Sequence, residues 1–187
     1  MKKAYKDVTK EYNYKRKNYE EVTRNWLATK KVSTGKVIFR KYYVDKHGIK
    51  YKVDGKNVIV QPNINEIETA KLICGMFGEN IYLNPKINFP NNIRSSDYLW
   101  RNQYWDKKTI GKNAKSNLRA VDNSIKRGKE QADYFILEIS DCILPNECII
   151  KQVKKIFSTK GREWVKGIMI IKNDIIIGIF LNTKNRG

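Results

Sequence analysis

Histidine is almost missing from this sequence: His47 is the single one among 187 residues. A His-based catalytic triad, a zinc site or a His-dependent ribonuclease mechanism therefore has too few members. Cysteine is scarce too. Cys74, Cys142 and Cys148 form no C-x-x-C pair and lie in or beside apolar runs, so they read as reduced core residues of a cytoplasmic protein. No apolar run reaches the ~18 residues a membrane span needs. Met1-Lys2-Lys3 looks like the start of a signal peptide, but no apolar segment follows. A chain without signal peptide or transmembrane segment is expected.

Acid is the other shortage. Against 38 Lys and Arg stand 19 Asp and Glu, a formal net charge of +19. An excess of this size points to a polyanionic partner, nucleic acid first. A membrane-surface protein, or the lysine-rich composition of an AT-rich genome, would share part of it. Genome bias accounts for the abundant Asn and Ile but not for the surplus of positive over negative charge. Residues 1 to 60 hold 17 Lys and Arg against 6 Asp and Glu, a surplus of +11.

With so few acids, their placement is informative. Ser95 to Ile110, SSDYLWRNQYWDKKTI, reads as two strand-forming runs joined by an Arg101-Asn102 turn. With Trp100 opposite Gln103, the register carries outward to set Asp97 against Asp106, and directly opposed residues share a face about 5 Å apart. Lys108 lies two residues beyond Asp106 and projects from the same side. Two facing carboxylates repel each other unless a cation lies between them. Mg2+, or another divalent ion such as Mn2+, suits oxygen ligands and keeps positions for water and phosphate. A lysine beside it can orient or help deprotonate water, or neutralise charge on a phosphate. An exposed hairpin with a Lys-Asp pair and no function would read the same.

The runs Ser96-Asp97-Tyr98-Leu99-Trp100 and Trp105-Asp106-Lys107-Lys108 resemble the catalytic hairpin of the PD-(D/E)XK nuclease superfamily. From about Asn65 to Asn182 the likeness is closer to the C-terminal nuclease domain of contact-dependent growth-inhibition toxins, several of them tRNases, and to related phage and mobile-element domains. Asn65-Glu66-Ile67-Glu68-Thr69-Ala70 opening a helix, Phe77-Gly78 ending it, and Gln131-Ala132 before a strand carry the rest of it. Ser96 stands where the superfamily usually has proline. The resemblance implies Asp97, Asp106 and an acid of the first helix, Glu66 or Glu68, as metal ligands, Lys108 as the catalytic lysine and Gln131 beside them. It also implies a tRNA substrate, a small acidic immunity protein as inhibitor, and the cytoplasm of the producing or target bacterial cell as the place of action. A DNA endonuclease and a non-catalytic nucleic-acid-binding protein are the alternatives.

Around this hairpin the pattern predicts an α/β fold: a central mixed sheet flanked by helices, restriction-endonuclease-like, over residues 63–187. A basic extension over 1–62 would hold a helix and a hairpin. Tyr5, Val8, Tyr12, Tyr19, Val22, Trp26 and Leu27 suggest one or two helices before residue 31. Strand signals follow at 36–43, and at 50–60 around an Asp54-Gly55 turn. Asn65 would cap a helix to Phe77, stopped by Gly78, with Glu66 on its inner face. A strand at 79–83 precedes the hairpin. A basic helix over 112–128, with Leu118, Val121 and Ile125 inward, would present Lys112, Lys115, Arg119, Lys126, Arg127 and Lys129 to phosphates. Strand 133–139, helix 145–157 and strands 166–172 and 175–181 complete the order.

Overall fold

A computed structural model describes residues 18–113 and 119–184. The expected Tyr5, Val8, Tyr12, Lys115 and Leu118 lie outside the described residues. Continuous apolar strands organise the rest. Tyr134–Glu138 (β10) is buried at its three central residues, and Gly167–Lys172 (β11) at all but its last. Such runs suit parallel strands covered on both faces, and β10 pairs in parallel with β11 and with Gln103–Thr109 (β9).

The main sheet has eight strands, in the order β1, β12, β11, β10, β9, β8, β6, β2. Of these, β12 is Ile175–Asn182, β8 Tyr98–Trp100 and β6 Ile81–Leu83; the edges are β1, Tyr19–Glu21, and β2, Val37–Phe39. Asn173 and Asp174, both at positive φ, turn β11 into β12. Thr23–Ala28 (α1) and Ile64–Phe77 (α2) cover one face, where Trp26, Ile73 and Phe77 meet Trp100, Trp105 and Ile136. Ala120–Lys126 (α3) and Asn146–Ile156 (α4) cover the other, where Val121, Ile125 and Val153 meet Phe135, Leu137 and Ile168. This is the central mixed sheet flanked by helices that the pattern predicts.

Residues 18–62 supply both edge strands of the sheet, and Val22 and Tyr43 are buried, so burial of apolar side chains ties this segment to the rest. Several local expectations are corrected. The Asp54-Gly55 turn forms, with the Asp54 carboxylate accepting from the amides of Lys56, Asn57 and Val58. Its flanking strands nonetheless part: Lys50–Lys52 (β4) pairs with Tyr42–Val44 (β3), and Val58–Ile59 (β5) pairs with Lys86–Ile87 (β7). Asn63, not Asn65, caps α2. Its side chain accepts from the Glu66 amide at 2.9 Å while Glu66 accepts from the Asn63 amide at 3.0 Å, a reciprocal capping box. Gly78 ends α2 at φ 66, where a Cβ would meet the Lys31 and Ser33 carbonyl oxygens. The basic helix expected over 112–128 is described only as α3, with Lys112 in a turn before it. All three cysteines are free. Among the described residues no helix is long and apolar enough to cross a membrane.

Candidate active site

The β8–β9 hairpin has the expected register, Trp100 against Gln103 and Tyr98 against Trp105. Arg101 and Asn102, at φ 51 and 59, form the two-residue turn whose twist matches the strands. Tyr98, Trp100 and Trp105 enter the core beneath α2, which leaves Leu99, Tyr104, Asp106 and Lys108 for the opposite side.

The ladder stops one residue short of Asp97. Continued pairing would bring the Lys107 amide to the Ser96 carbonyl; instead that amide donates to the Asp97 carboxylate at 2.7 Å. Asn84 draws the chain away. Its amide donates to the Asp97 carbonyl at 2.9 Å, and its side-chain nitrogen donates to the Ser96 carbonyl at 3.1 Å and hydroxyl at 3.0 Å. Ser96 and Asn84 are buried, so this polar network holds the bend where the resembling hairpins have proline. Asn84, held in turn by Arg40 at 2.8 Å, is a positioning residue that sequence reasoning missed. Its one signal was an amide side chain in the otherwise apolar context Ile81-Tyr82-Leu83.

Where the strands part, charges gather. Asp106 is 1% exposed, and its Oδ2 lies 2.5 Å from the Lys108 ammonium. That oxygen takes no well-directed hydrogen bond, although the ion pair is close. At this distance Lys108 is the close partner of Oδ2 and lowers the proton affinity of Asp106 by charge and by hydrogen bonding. Lys108 also donates to Gln131 Oε1 at 3.0 Å, and Gln131 Nε2 donates to the Ser95 carbonyl at 3.5 Å. Gly128 makes this closeness possible, since a Cβ there would strike the Phe135 ring and crowd Lys108.

Burial raises the proton affinity of both aspartates. Asp97 is pushed up to about 7 by desolvation, then by the Asp106 charge, against the pull of the Lys107 amide. Asp106 is raised by desolvation despite Lys108. The Glu66 charge contributes to both shifts, so α2 brings this acid to the pair. The Glu66 carboxylate is occupied by Asn63, at 3.0 and 2.8 Å, and by Lys86 at 3.5 Å. Glu68 does not join them: it is exposed and pairs with Lys71 at 2.9 Å.

The donors fit a hard divalent ion. Two partly desolvated carboxylates lie close enough for the charge of Asp106 to raise the proton affinity of Asp97, and the lysine at Asp106 could yield to a metal ion. Among the described residues no group of three acidic, His or Cys ligands is assembled. That is compatible with Mg2+, which is often held by one or two carboxylates, the other positions going to water and phosphate. Of the expected phosphate contacts, Lys112, Arg119, Lys126, Arg127 and Lys129 are exposed, and the last three flank Gly128 above Lys108.

A family model described as the contact-dependent growth inhibition CdiA C-terminal domain matches residues 94–177, somewhat less than half of the chain. The match contains Asp97, Asp106, Lys108 and Gln131 but not α2 with its two acids. It supports the toxin family to which the hairpin is similar. No curated protein and no solved structure matches the chain at a significant level.

Proposed function

Taking the toxin-domain likeness of residues 94–177 as premise, we propose that this chain is a divalent-metal-dependent endoribonuclease of the PD-(D/E)XK type, acting on RNA and on tRNA in particular. The observation that carries it is the meeting of Asp97, Asp106, Lys108 and Gln131 where the β8–β9 ladder opens. Desolvation raises the proton affinity of the buried Asp106 and the half-buried Asp97 although each has a partner, and acids perturbed in this way cluster at functional sites.

Asp97 and Asp106 would hold the ion, with Glu66 near enough to tune their charge. A bound Mg2+ or Mn2+ supplies Lewis-acid activation of the scissile phosphate and of an attacking water. Asp106 and Gln131 hold the Lys108 ammonium from two sides, 2.5 and 3.0 Å away. So fixed, it can orient the water and offset negative charge that grows on the phosphate. The exposed Lys126, Arg127 and Lys129 would neutralise flanking phosphates. A small acidic immunity protein, complementary to a chain of net charge +19, would protect the producing cell.

The test is incubation of the wild-type chain and Asp106→Ala with total RNA, purified tRNA and plasmid DNA, each with Mg2+ and with EDTA. RNA cleavage that needs metal and is lost in a folded Asp106→Ala protein is expected. Cleavage of plasmid alone would make the chain a DNA endonuclease. A folded Asp106→Ala protein that cuts as fast as wild type would remove the chemical basis of the reading.

A further inference from the structure

A cleft of about 420 Å3 reaches the candidate site through Gln131, which lines it and accepts from Lys108; most of its lining has no role in the chemistry above. Its walls come from four parts of the chain. The β3–β4 hairpin contributes Tyr43 and His47, the start of β9 contributes Tyr104, and the segment between α3 and β10 contributes Lys129 and Gln131. Arg94 closes one side.

Three observations say what would fit it. Firstly, its size is in the range of pockets that enclose one small planar group. Secondly, Tyr104 offers a half-buried ring, backed at 5.1 Å by the buried ring of Tyr43 and anchored by Arg40 on its hydroxyl at 3.4 Å. A ring fixed in this way is a stacking surface prepared before binding, and the exposed His47 imidazole can stack or hydrogen-bond beside it. Thirdly, Gln131 belongs to both places, lining the cleft while it accepts from Lys108. Tyr104 and Asp106 are alternate residues of one strand, so about 7 Å separates them along it, the scale of one nucleotide step in an extended strand. The walls carry charge of both signs, Asp45, Glu130 and Asp133 beside Lys46, Arg94 and Lys129; with Lys46 paired to Glu130, Arg94 and Lys129 are the cations placed to meet the intervening phosphate.

We propose that this cleft takes one unpaired nucleobase of the substrate strand, adjacent to the scissile phosphate, stacked on Tyr104, and so selects a single-stranded or extruded nucleotide. The inference rests on the nuclease reading but makes a separate claim, about binding. It also gives the β3–β4 hairpin a function. Docked by the Tyr43–Tyr104 contact and the Lys46–Glu130 ion pair, this hairpin is the wall that turns an open sheet end into a cleft.

The test measures binding without turnover. The full-length chain carrying Asp106→Asn is titrated, by fluorescence anisotropy, with short single-stranded RNA oligonucleotides that are intact or abasic at one position in turn. One abasic position should weaken binding roughly 5- to 150-fold, the range for loss of one stacked base, with little effect elsewhere. Adding Tyr104→Ala should make intact and abasic strands bind alike, whereas Tyr104→Phe should keep the difference. Should Tyr104→Ala fail to fold, His47→Ala, at an exposed loop, should narrow the same difference. Equal losses at every abasic position, or an undiminished difference in both folded variants, would overturn the cleft assignment. Wild type that binds in this base-dependent way but never cleaves would sink the nuclease reading alone; cleavage with base-independent binding would sink the cleft alone.

Discussion

The two ends of the β8–β9 hairpin treat charge in opposite ways. At the turn, Arg101 is saturated: its guanidinium meets Glu79 at 2.8 and 3.3 Å and lies 4.3 Å from the Trp26 ring, 4.7 Å from Trp100 and 5.0 Å from Phe77. Glu79, held below the usual carboxylate range by Arg101 and Lys31 against the opposing effect of burial, is charged and paired. At the open end Asp97 and Asp106 resist ionisation, because desolvation outweighs the Lys107 amide and the Lys108 ammonium that meet them. One end contributes to stability and the other gives some up. Acids whose proton affinity stays raised by burial despite close partners are characteristic of functional sites, and two ends of a single hairpin show the contrast in one chain.

Exchanging the damage between the ends gives the largest expected effect. Lys108→Ala should lower metal-dependent cleavage of tRNA about 10²- to 10⁴-fold while circular dichroism and metal binding by calorimetry stay as in wild type. Equal rates would place the chemistry elsewhere.

Arg101→Ala should do the reverse. It strips Glu79 of its main partner and uncovers three aromatic rings, a loss of about 2 kcal/mol in denaturant unfolding. Cleavage at a temperature where the variant remains folded should change little. A large fall in rate without loss of stability would erase the contrast between the ends.

A subtler effect comes from pH. Asp97 and Asp106 keep their protons in the folded, metal-free protein to about 7 and about 6, whereas in the unfolded chain they ionise near the ordinary value. The folded state therefore binds more protons between these limits. The contribution of this pair is full below the unfolded value and is lost as pH rises through the folded values. Thermal melts in EDTA should show the wild-type minus Asp106→Asn difference falling between about pH 4 and 7, and Mg2+ should reverse the fall. A difference independent of pH would mean that the acids are not strained by burial.

The smallest effect separates the two acids of α2. Glu66→Ala breaks the capping box, at a cost of about 1 kcal/mol, and should alter the apparent metal affinity through the lost charge. Glu68→Ala, exposed and paired only with Lys71, should leave melting and metal titration unchanged. Metal affinity that responds to Glu68 alone would reassign the helix acid.

Much of the candidate site was legible for local reasons. A two-residue turn forces a register, and period-two alternation puts Asp106 and Lys108 on one face, so neither inference needed the rest of the molecule. The helical wheel favoured Glu66 facing inward but left both Glu66 and Glu68 as candidates; in the structure Glu66 is on the buried face of α2. The same kind of turn signal misled at Asp54-Gly55. There the turn formed, yet β4 and β5 found partners remote in sequence, since pairing is decided by which strands bury the most together.

What the sequence determined by itself, then, is what nearest neighbours along the chain dictate: the β8–β9 turn and its register, the Gly78 stop, the both-faces-apolar strands β10 and β11, and the surplus of positive charge. Tertiary structure alone decided the rest. It enlisted residues 18–62 as both sheet edges, opened the ladder at Asp97 through Asn84, swung Gln131 onto Lys108 beneath Gly128, and closed a cleft with the β3–β4 hairpin. Each of these joins groups far apart in sequence, and contacts of that kind are selected by the burial and hydrogen bonding of the whole fold, which no local pattern encodes.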